Sequence, residues 1–153
     1  MDNRIRIADK SDMRGIFEII TCLHLGSYIW DVEKLIKSHL NPIDNYSPRC
    51  LVSENEGKLL TGAMLLKYND GNFVLEINEL AVRQNFRENG IGRILVDSAY
   101  DLALNSNCKL LELKSSLRFN VSDFYLHLGF VRSGPLVDEL NCDEYYYFCK
   151  KVE

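Results

Sequence analysis

The chain has 153 residues, 46% of them hydrophobic and 26% charged, which predicts one soluble globular domain over residues 1–153 with a single buried core. The formal net charge of -4 and the lack of a Lys/Arg stripe argue against nucleic acid as a partner. No apolar run approaches the roughly 20 residues of a membrane helix, and residues 1–4 lack a signal-peptide core, so we expect a cytoplasmic protein with no membrane partner.

The first part of the chain predicts one strand and two helices. Residues 4–8 alternate in polarity, as a strand does. Ser11 is a candidate N-cap for a helix that runs to about residue 25. Asp31 is a candidate cap for a second helix, which Asn41 and Pro42 would end because the residue before a proline disfavours helical geometry.

The middle of the chain predicts three strands. Residues 50–53 and 59–67 suit a hairpin that closes through the polar turn 54–57. Residues 69–72, Asn-Asp-Gly-Asn, are a strong turn signal before a further strand over residues 73–82.

The last part predicts a long helix from Ile91, a strand over residues 109–114, a short helix over 123–128 and a strand over 144–150 that closes the sheet. The long helix carries an apolar face at helical spacing, made of Ile91, Ile94, Leu95, Ala99, Leu102 and Ala103. Hairpins followed by a strand–helix–strand unit are typical of a mixed α/β domain.

The cysteines and histidines predict neither disulfides nor a metal site. The five cysteines show no paired spacing, which favours reduced, mostly buried thiols, and Cys108 suits a buried position at a strand entry. The histidines, His24, His39 and His127, are scattered along the chain.

The most informative segment is the strand-to-helix connection over residues 77–92. An alternating strand runs into a polar loop that ends in Gly90-Ile91-Gly92, where a helix begins. Backbone N–H groups and the helix dipole at such a turn suit a phosphate or pyrophosphate. A Cβ at either glycine would collide with that anion. A turn without a ligand is the competing interpretation.

Two familiar phosphate-binding patterns fail at this loop. A P-loop requires lysine and then serine or threonine after the second glycine, where Arg93 and Ile94 stand. A dinucleotide fingerprint requires a third glycine at the position of Leu95. The spacing Arg87-x-x-Gly90-x-Gly92 instead resembles the acyl-CoA loop of the GNAT superfamily, the general-control-type N-acetyltransferases.

Two further segments carry the same resemblance. Residues 115–130 are similar to the second signature of the family, in which Phe124-Tyr125 lies on a short helix and Gly129-Phe130 follows. Residues 4–9 are similar to its opening strand. The resemblance covers essentially the whole chain. It implies an α/β fold of mixed α+β type, with a twisted mixed sheet of six to seven strands flanked by about four helices.

The resemblance also implies an activity. The chain is expected to move an acetyl group from acetyl-CoA to a primary amine of a small molecule or peptide, by direct attack in a ternary complex and without a metal. Two alternatives stay open: a catalytically silent acyl-CoA-binding sensor or regulatory domain, and an acyltransferase that uses a longer acyl-CoA.

The implied cosubstrate contacts lie on the central strand, on the glycine loop and before the short helix. The strand would hold the pantetheine arm if it splays from its neighbour, and the loop would hold the pyrophosphate. Asn120 is the weakest of these assignments, because Arg118 stands where many members carry asparagine and a helix-cap role is equally open. The full set is Leu80, Ala81, Val82, Arg87, Glu88, Asn89, Gly90, Ile91, Gly92, Arg93 and Asn120.

Tyr125 matches the family tyrosine that faces the CoA sulfur, and a phenol with a pKa near 10 stays protonated at neutral pH. Glu79 matches the acidic position that the family often uses beside the acceptor amine, so the resemblance implies that it is the candidate base or water-orienting group. Glu76 is the alternative, and odd spacing predicts that the two carboxylates lie on opposite faces of the strand. Asn78 stands where other branches carry glutamate, which leaves direct base catalysis open.

The resemblance also implies that residues 26–46 and 133–147 shape the acceptor site. The first segment contains Tyr28, Trp30 and Tyr46, and the second is acidic. Aromatic and acidic side chains suit a cationic amine, but equally a dimer contact or a solvated loop, so a homodimer also stays open. The acidic side chains are Asp138, Glu139, Asp143 and Glu144.

Overall fold

The structure is a computed structural model that describes residues 2–23, 29–69, 71, 73–140 and 142–153, with the side chains of residues 23, 29 and 30 outside the description. Its strands are β1 (Arg4–Ile7), β2 (Arg49–Glu54), β3 (Leu60–Asn69), β4 (Val74–Val82), β5 (Leu110–Ser116), β6 (Val131–Val137) and β7 (Glu144–Lys151). Its α-helices are α1 (Met13–Ile20), α2 (Ile29–Ser38), α3 (Ile91–Asn105) and α4 (Ser122–His127).

The strands form one sheet in the order β1-β2-β3-β4-β5-β7-β6. All neighbouring strands are antiparallel except β4 and β5, which run parallel because α3 crosses from the end of one to the start of the other. The mixed α/β architecture with seven strands and four α-helices, counted over the described residues, confirms the predicted fold class.

The helices cover the two faces of the sheet and give two cores. On the α1 face, α1 and α2 pack Ile16 and Ile36 against Leu65 of β3. On the α3 face, α3 and α4 pack Leu95 and Tyr125 against strands β3 to β7. Strand β3 is buried on both faces over most of its length, which explains its nearly continuous apolar sequence.

Two details of the elements differ from the sequence prediction, and two further predictions fall outside the described residues. Asp9, not Ser11, caps the 3-10 turn Lys10–Asp12 that leads into α1, because its carboxylate accepts from the Ser11 backbone N–H at 2.8 Å, and the N-cap position of α1 itself is Asp12. Ile94 is 41% exposed, and Val96 is buried on the α3 core side instead. The predicted end of the first helix near residue 25 and part of the 69–72 turn lie outside the described residues.

Strand β6 is the element that the sequence pattern missed. Residues 131–137 are exposed throughout and pair only with β7 in the described sheet, so no alternating burial marks them. The register also shifts between Ser133 and Leu136, where Gly134 and Pro135 interrupt the strand. One edge of the described sheet is therefore β6, with β1 at the other edge, and β7 lies one strand inside β6.

A charged network ties β1 to the start of α1. Arg6 donates to both carboxylate oxygens of Asp12 at 2.7 and 2.8 Å, and to Glu54 at 2.8 Å. Asp12 also accepts from the Asp9 backbone N–H at 2.9 Å and is 8% exposed. The Arg6 guanidinium lowers the pKa of Asp12. Asp12 thus stabilises the fold while it is ionised.

Asp12→Asn is expected to lower the free energy of unfolding by about 2 kcal/mol at pH 7, because a buried, charge-assisted pair with Arg6 is broken. The folded pKa of Asp12 lies below its unfolded value near 4, so the wild type keeps this stability above that pH and loses it as pH falls through the folded pKa. Urea denaturation at pH 7 and pH 2.5 measures both effects. Arg14→Met, which breaks an exposed pair with Glu18, is the control and should change little. An equal loss at both pH values would contradict the assignment.

Candidate active site

A cleft of about 1150 Å³ opens where β4 and β5 part. The two strands pair only over residues 74–77 and 110–113. Beyond Ile77 and Leu113 they line opposite sides of the cleft, down to Val82 on β4 and Ser116 on β5. The edge of β4 that faces this gap has no strand partner among the described pairings. Its backbone is therefore placed to hydrogen-bond an extended ligand.

A β-bulge in β4 decides which side chains face which core. Leu65 pairs with Glu79 and the next residue, Leu66, pairs with Ile77, so Asn78 is an extra residue in β4. Lys67 on β3 pairs with Glu76. Since paired residues share a face, and positions 65 and 67 lie on one face, Glu76 and Glu79 both stand on the α1 face. The prediction that they lie on opposite faces was wrong, because the bulge resets the alternation.

Glu79 and Tyr125 approach the cleft from opposite faces of the sheet. Tyr125 belongs to the α3-face core, is 6% exposed, and packs edge-on against Phe124 and Phe130 at ring-centroid distances of 4.9 and 5.5 Å. Both residues line the cleft. Burial raises the pKa of Tyr125, and the negative charge of Glu79 raises it further. The phenol therefore stays protonated at neutral pH, because the nearby Glu79 charge disfavours a second negative charge on Tyr125.

The glycine loop forms the mouth of the cleft at the start of α3. Gly90 has φ +78° at the N-cap position, and a Cβ there would meet no atom within 4 Å. Its carbonyl accepts the first α3 hydrogen bond, from Ile94 at 3.1 Å. The backbone N–H groups that precede Ile94 point out of the helix end, toward the cleft mouth. An open, positively polarised helix end of this kind suits an anionic group such as a phosphate. At Gly92 a Cβ would meet the Phe124 ring at 3.2 Å, so that glycine serves packing as well.

The polar side chains of the loop shape its backbone. The Arg87 Nε donates to the Val82 carbonyl at 3.0 Å, and the Asn89 amide donates to the carbonyls of Phe86 and Arg87 at 3.2 and 3.3 Å. Glu88 adopts a positive φ of 65°. Arg87 and Asn89 thus fold the loop, which is a role that the sequence prediction did not assign to them.

The remaining implied cosubstrate contacts also reach the cleft. Arg93 is exposed at its rim, within 3.9 Å of Asp97 one turn along α3. Asn120 lines the cleft in the left-handed region, with φ 48°. It does not cap α4, because the N-cap position there belongs to Val121. All eleven implied contact residues except Asn89 line the cleft.

Several apolar side chains that line the cleft were not predicted from the sequence. Phe86, Val121 and Phe124 line the cleft and are half-buried against the α3-face core. Phe124 carried a signal, since it directly precedes Tyr125, but Phe86 lies in a polar loop with no periodic pattern. Cys22, at the end of the first helical segment, also lines the cleft and is exposed.

The aromatic residues of the predicted acceptor segment do not gather at the cleft. Tyr46 packs edge-on against Tyr68, which belongs to the α3-face core, so Tyr46 stands away from the Glu79 face. Tyr28 and the side chain of Trp30 lie outside the described residues.

The acidic segment forms a second depression of about 440 Å³ beside β5. Two of its carboxylates close the loop between β6 and β7: Asp138 accepts from the Leu140 backbone N–H, and Asp143 from the Ser116 hydroxyl, both at 2.9 Å. Glu139 also lines this depression, whereas Glu144 does not. A role for the segment in amine binding stays a prediction.

None of the five cysteines, all in the described part of the chain, forms a disulfide, but fewer are buried than expected. Cys50 and Cys108 are buried, Cys149 is half-buried, and Cys22 and Cys142 are exposed. Within the described ranges no three His, Cys, Asp or Glu side chains come together in a way that could hold a metal ion. None of the helices in the described part of the chain has the length and apolar character that a membrane crossing requires.

Known structures share this architecture from end to end. Ard1 from Thermoplasma volcanium matches with a TM-score of 0.79 and 19% identity, covering 100% of this chain and 99% of that one. Mutant forms of the spermidine/spermine N-acetyltransferase SpeG from Vibrio cholerae match with a TM-score of 0.78 and 21% identity, covering 97% and 93%. A GNAT-family acetyltransferase from Staphylococcus aureus Mu50 matches with a TM-score of 0.77 and 17% identity, covering 99% and 100%. At these identities the likeness establishes the fold.

Sequence comparison identifies the family. A search of curated protein sequences found no match. The family model described as "Acetyltransferase (GNAT) family" matches residues 15–130, from inside α1 to just beyond α4, the helix that carries Tyr125. That range contains the splayed strands, the bulge and the glycine loop. The chain therefore belongs to the GNAT acetyltransferase family and is an acyltransferase enzyme.

Proposed function

We propose that this enzyme transfers the acetyl group of acetyl-CoA to a primary amine by direct attack in a ternary complex. The observation that carries the proposal is the gap between β4 and β5, with Glu79 entering from one face and Tyr125 from the other. The gap lets two substrates meet from opposite sides of the sheet. When bound, acetyl-CoA supplies an electrophilic thioester carbon.

The residues of the chain divide the remaining tasks. The exposed backbone edge at Leu80, Ala81 and Val82 holds the cosubstrate arm in an extended form, as an added strand would be held. Glu79 takes the proton of the attacking amine, directly or through a water molecule. Tyr125 donates a proton to the departing sulfur. The two proton transfers occur on different faces, so neither group has to serve both.

The proposal is tested by thiol release from acetyl-CoA in the presence of an amine panel: a polyamine such as spermidine, free lysine and a peptide with a free α-amine. Thiol release should require an amine, and mass spectrometry should find the acetylated amine. Initial rates with both substrates varied should give intersecting lines, because no acyl-enzyme forms. Tight acetyl-CoA binding without turnover on any amine would favour the sensor alternative. Propionyl-CoA and butyryl-CoA in the same assay test the longer-acyl alternative.

Gly90→Val is expected to weaken CoA binding by more than about 30-fold, roughly 2 kcal/mol, since the loop's charge-assisted bonds to the pyrophosphate depend on one backbone shape. Isothermal titration calorimetry measures the affinity. Gly71→Val is the matched control: Gly71 also has a positive φ, 68° against 78°, but lies on the β3–β4 connection away from the cleft. A folded Gly90→Val variant with wild-type affinity would remove the loop as the pyrophosphate site, and equal losses in both variants would implicate backbone strain alone.

A further inference from the structure

His39 is a buried imidazole that the proposed chemistry does not use. It lies directly after α2, is 3% exposed, and belongs to the α1 side of the sheet. Its Nδ1 lies 2.8 Å from the Leu35 carbonyl and 3.0 Å from the Ser38 hydroxyl. A carbonyl oxygen only accepts, so Nδ1 carries the proton. The other ring nitrogen, Nε2, therefore presents a lone pair.

That lone pair faces the bulge of β4. The Asn78 Nδ2 lies 3.5 Å from His39 Nε2, at the long end of the hydrogen-bond range, and an amide N–H can donate to it. Asn78 is the extra residue that places Glu79 on the α1 face. Without the bulge, simple alternation would turn the Glu79 side chain to the other face. Whatever fixes Asn78 therefore also fixes the direction of Glu79.

We propose that His39 is a positioning residue: its neutral imidazole holds Asn78, and so holds the bulge that aims Glu79 at the acceptor amine. This inference rests on the proposed role of Glu79. A protonated His39 would present an N–H to the Asn78 amide, donor against donor, and the bulge would lose this support. Productive geometry at Glu79 thus requires His39 to be neutral.

The surroundings of His39 favour the neutral form. Burial lowers the pKa of His39 most strongly. The ionised groups whose charges reach it are Glu79 on β4, which raises the pKa, and Lys67 on β3, which lowers it. The Leu35 carbonyl also raises it by accepting from Nδ1. With the net direction downward, His39 stays neutral at pH 7 and gains a proton only in acid.

The first experiment needs no activity. Histidine NMR titration of the whole protein should show His39 as the Nδ1–H tautomer, with a pKa below 6.5. Asn78→Asp would put a carboxylate against Nε2 and should raise the His39 pKa by one unit or more. An ordinary pKa in the wild type, or an unchanged one in Asn78→Asp, would overturn the His39–Asn78 pair.

The second experiment measures the consequence for catalysis. His39→Leu keeps the volume but removes the acceptor, so kcat should fall about 10- to 100-fold while CoA affinity is unchanged. His39→Gln retains an acceptor oxygen and should recover most of the rate. In Asn78→Asp the new carboxylate accepts from the protonated ring, so kcat should be retained at low pH and should fall as the pH rises through the raised pKa of His39. If the pair is seen by NMR but both His39 variants turn over like the wild type, the positioning role is wrong and the acetyl transfer stands. A protein inactive on all amines would instead contradict the proposed function, and the NMR result would still decide whether the pair exists.

Discussion

Tyr125→Phe is expected to lower kcat by roughly 10²–10⁴, the usual contribution of a general acid, and to leave CoA affinity nearly unchanged. The substitution removes one hydroxyl and keeps the ring that packs on Phe124 and Phe130. The CoA sulfur would then depart as an uncompensated thiolate. Because the pKa of Tyr125 is raised, the phenol keeps its proton well into the alkaline range, so its own ionisation should not limit the wild-type rate at pH 7–9.

Pre-steady-state measurement of thiol release separates this loss from product release. Tyr146→Phe is the matched control, since Tyr146 packs against the same core but does not line the cleft. It should keep wild-type kinetics. Wild-type chemistry in Tyr125→Phe, under conditions where the chemical step limits the rate, would remove Tyr125 as the acid and leave it a packing residue.

Glu79→Gln is expected to lower kcat/KM for the best amine by a similar factor near neutral pH, and by much less at pH about 9. At neutral pH most of a primary amine is protonated and needs a base, whereas at high pH free amine and hydroxide partly substitute for the carboxylate. The pH dependence of kcat/KM for the best amine measures this. The loss should therefore shrink steadily as the pH rises.

Glu76→Gln is the matched comparison variant, because Glu76 lies on the same face of the same strand as Glu79. It accepts a hydrogen bond from the Asn69 amide, which holds it toward β3. We expect its rate to stay near that of the wild type. If Glu76→Gln shows the pH-dependent loss and Glu79→Gln does not, the base assignment passes to Glu76. A loss at Glu79→Gln that stays constant with pH would indicate a structural carboxylate.

Short-range sequence patterns predicted the elements whose structure depends on neighbouring residues. The hairpin, α3 and the glycine loop follow from alternation, helical spacing and turn residues, and they are found where expected. Strand β6 was not predicted, because an exposed edge strand with a Gly-Pro interruption shows no alternation of buried and exposed residues. The α3 face was wrong at Ile94 because one turn of an amphipathic helix tolerates an exposed apolar residue at its border.

The candidate site was predictable only in its residue identities. Tyr125, Glu79 and the loop were named from motif positions, and they do line one cleft. Their arrangement depends on Asn78, since one inserted residue in β4 moves a carboxylate to the other side of the sheet. The sequence around position 78 carries no signal of an extra residue, because a bulge is defined by how β4 pairs with β3 and not by β4 alone. The partner of Asn78, His39, is 39 residues away in sequence and comes close through the packing of α2.

The separation of Glu79 and Tyr125 on two faces of the sheet has a consequence for the order of events in a cycle. Each turnover would leave Glu79 with one proton too many and Tyr125 with one too few. Glu79 can discharge its proton to water on the acceptor side. Tyr125 is 6% exposed and reaches water through the cleft that CoA fills. Because water is excluded while CoA is bound and the pKa of Tyr125 is raised, we expect its phenolate to regain the proton from the CoA thiol, so that CoA leaves as the thiolate and the acid is restored in the same event.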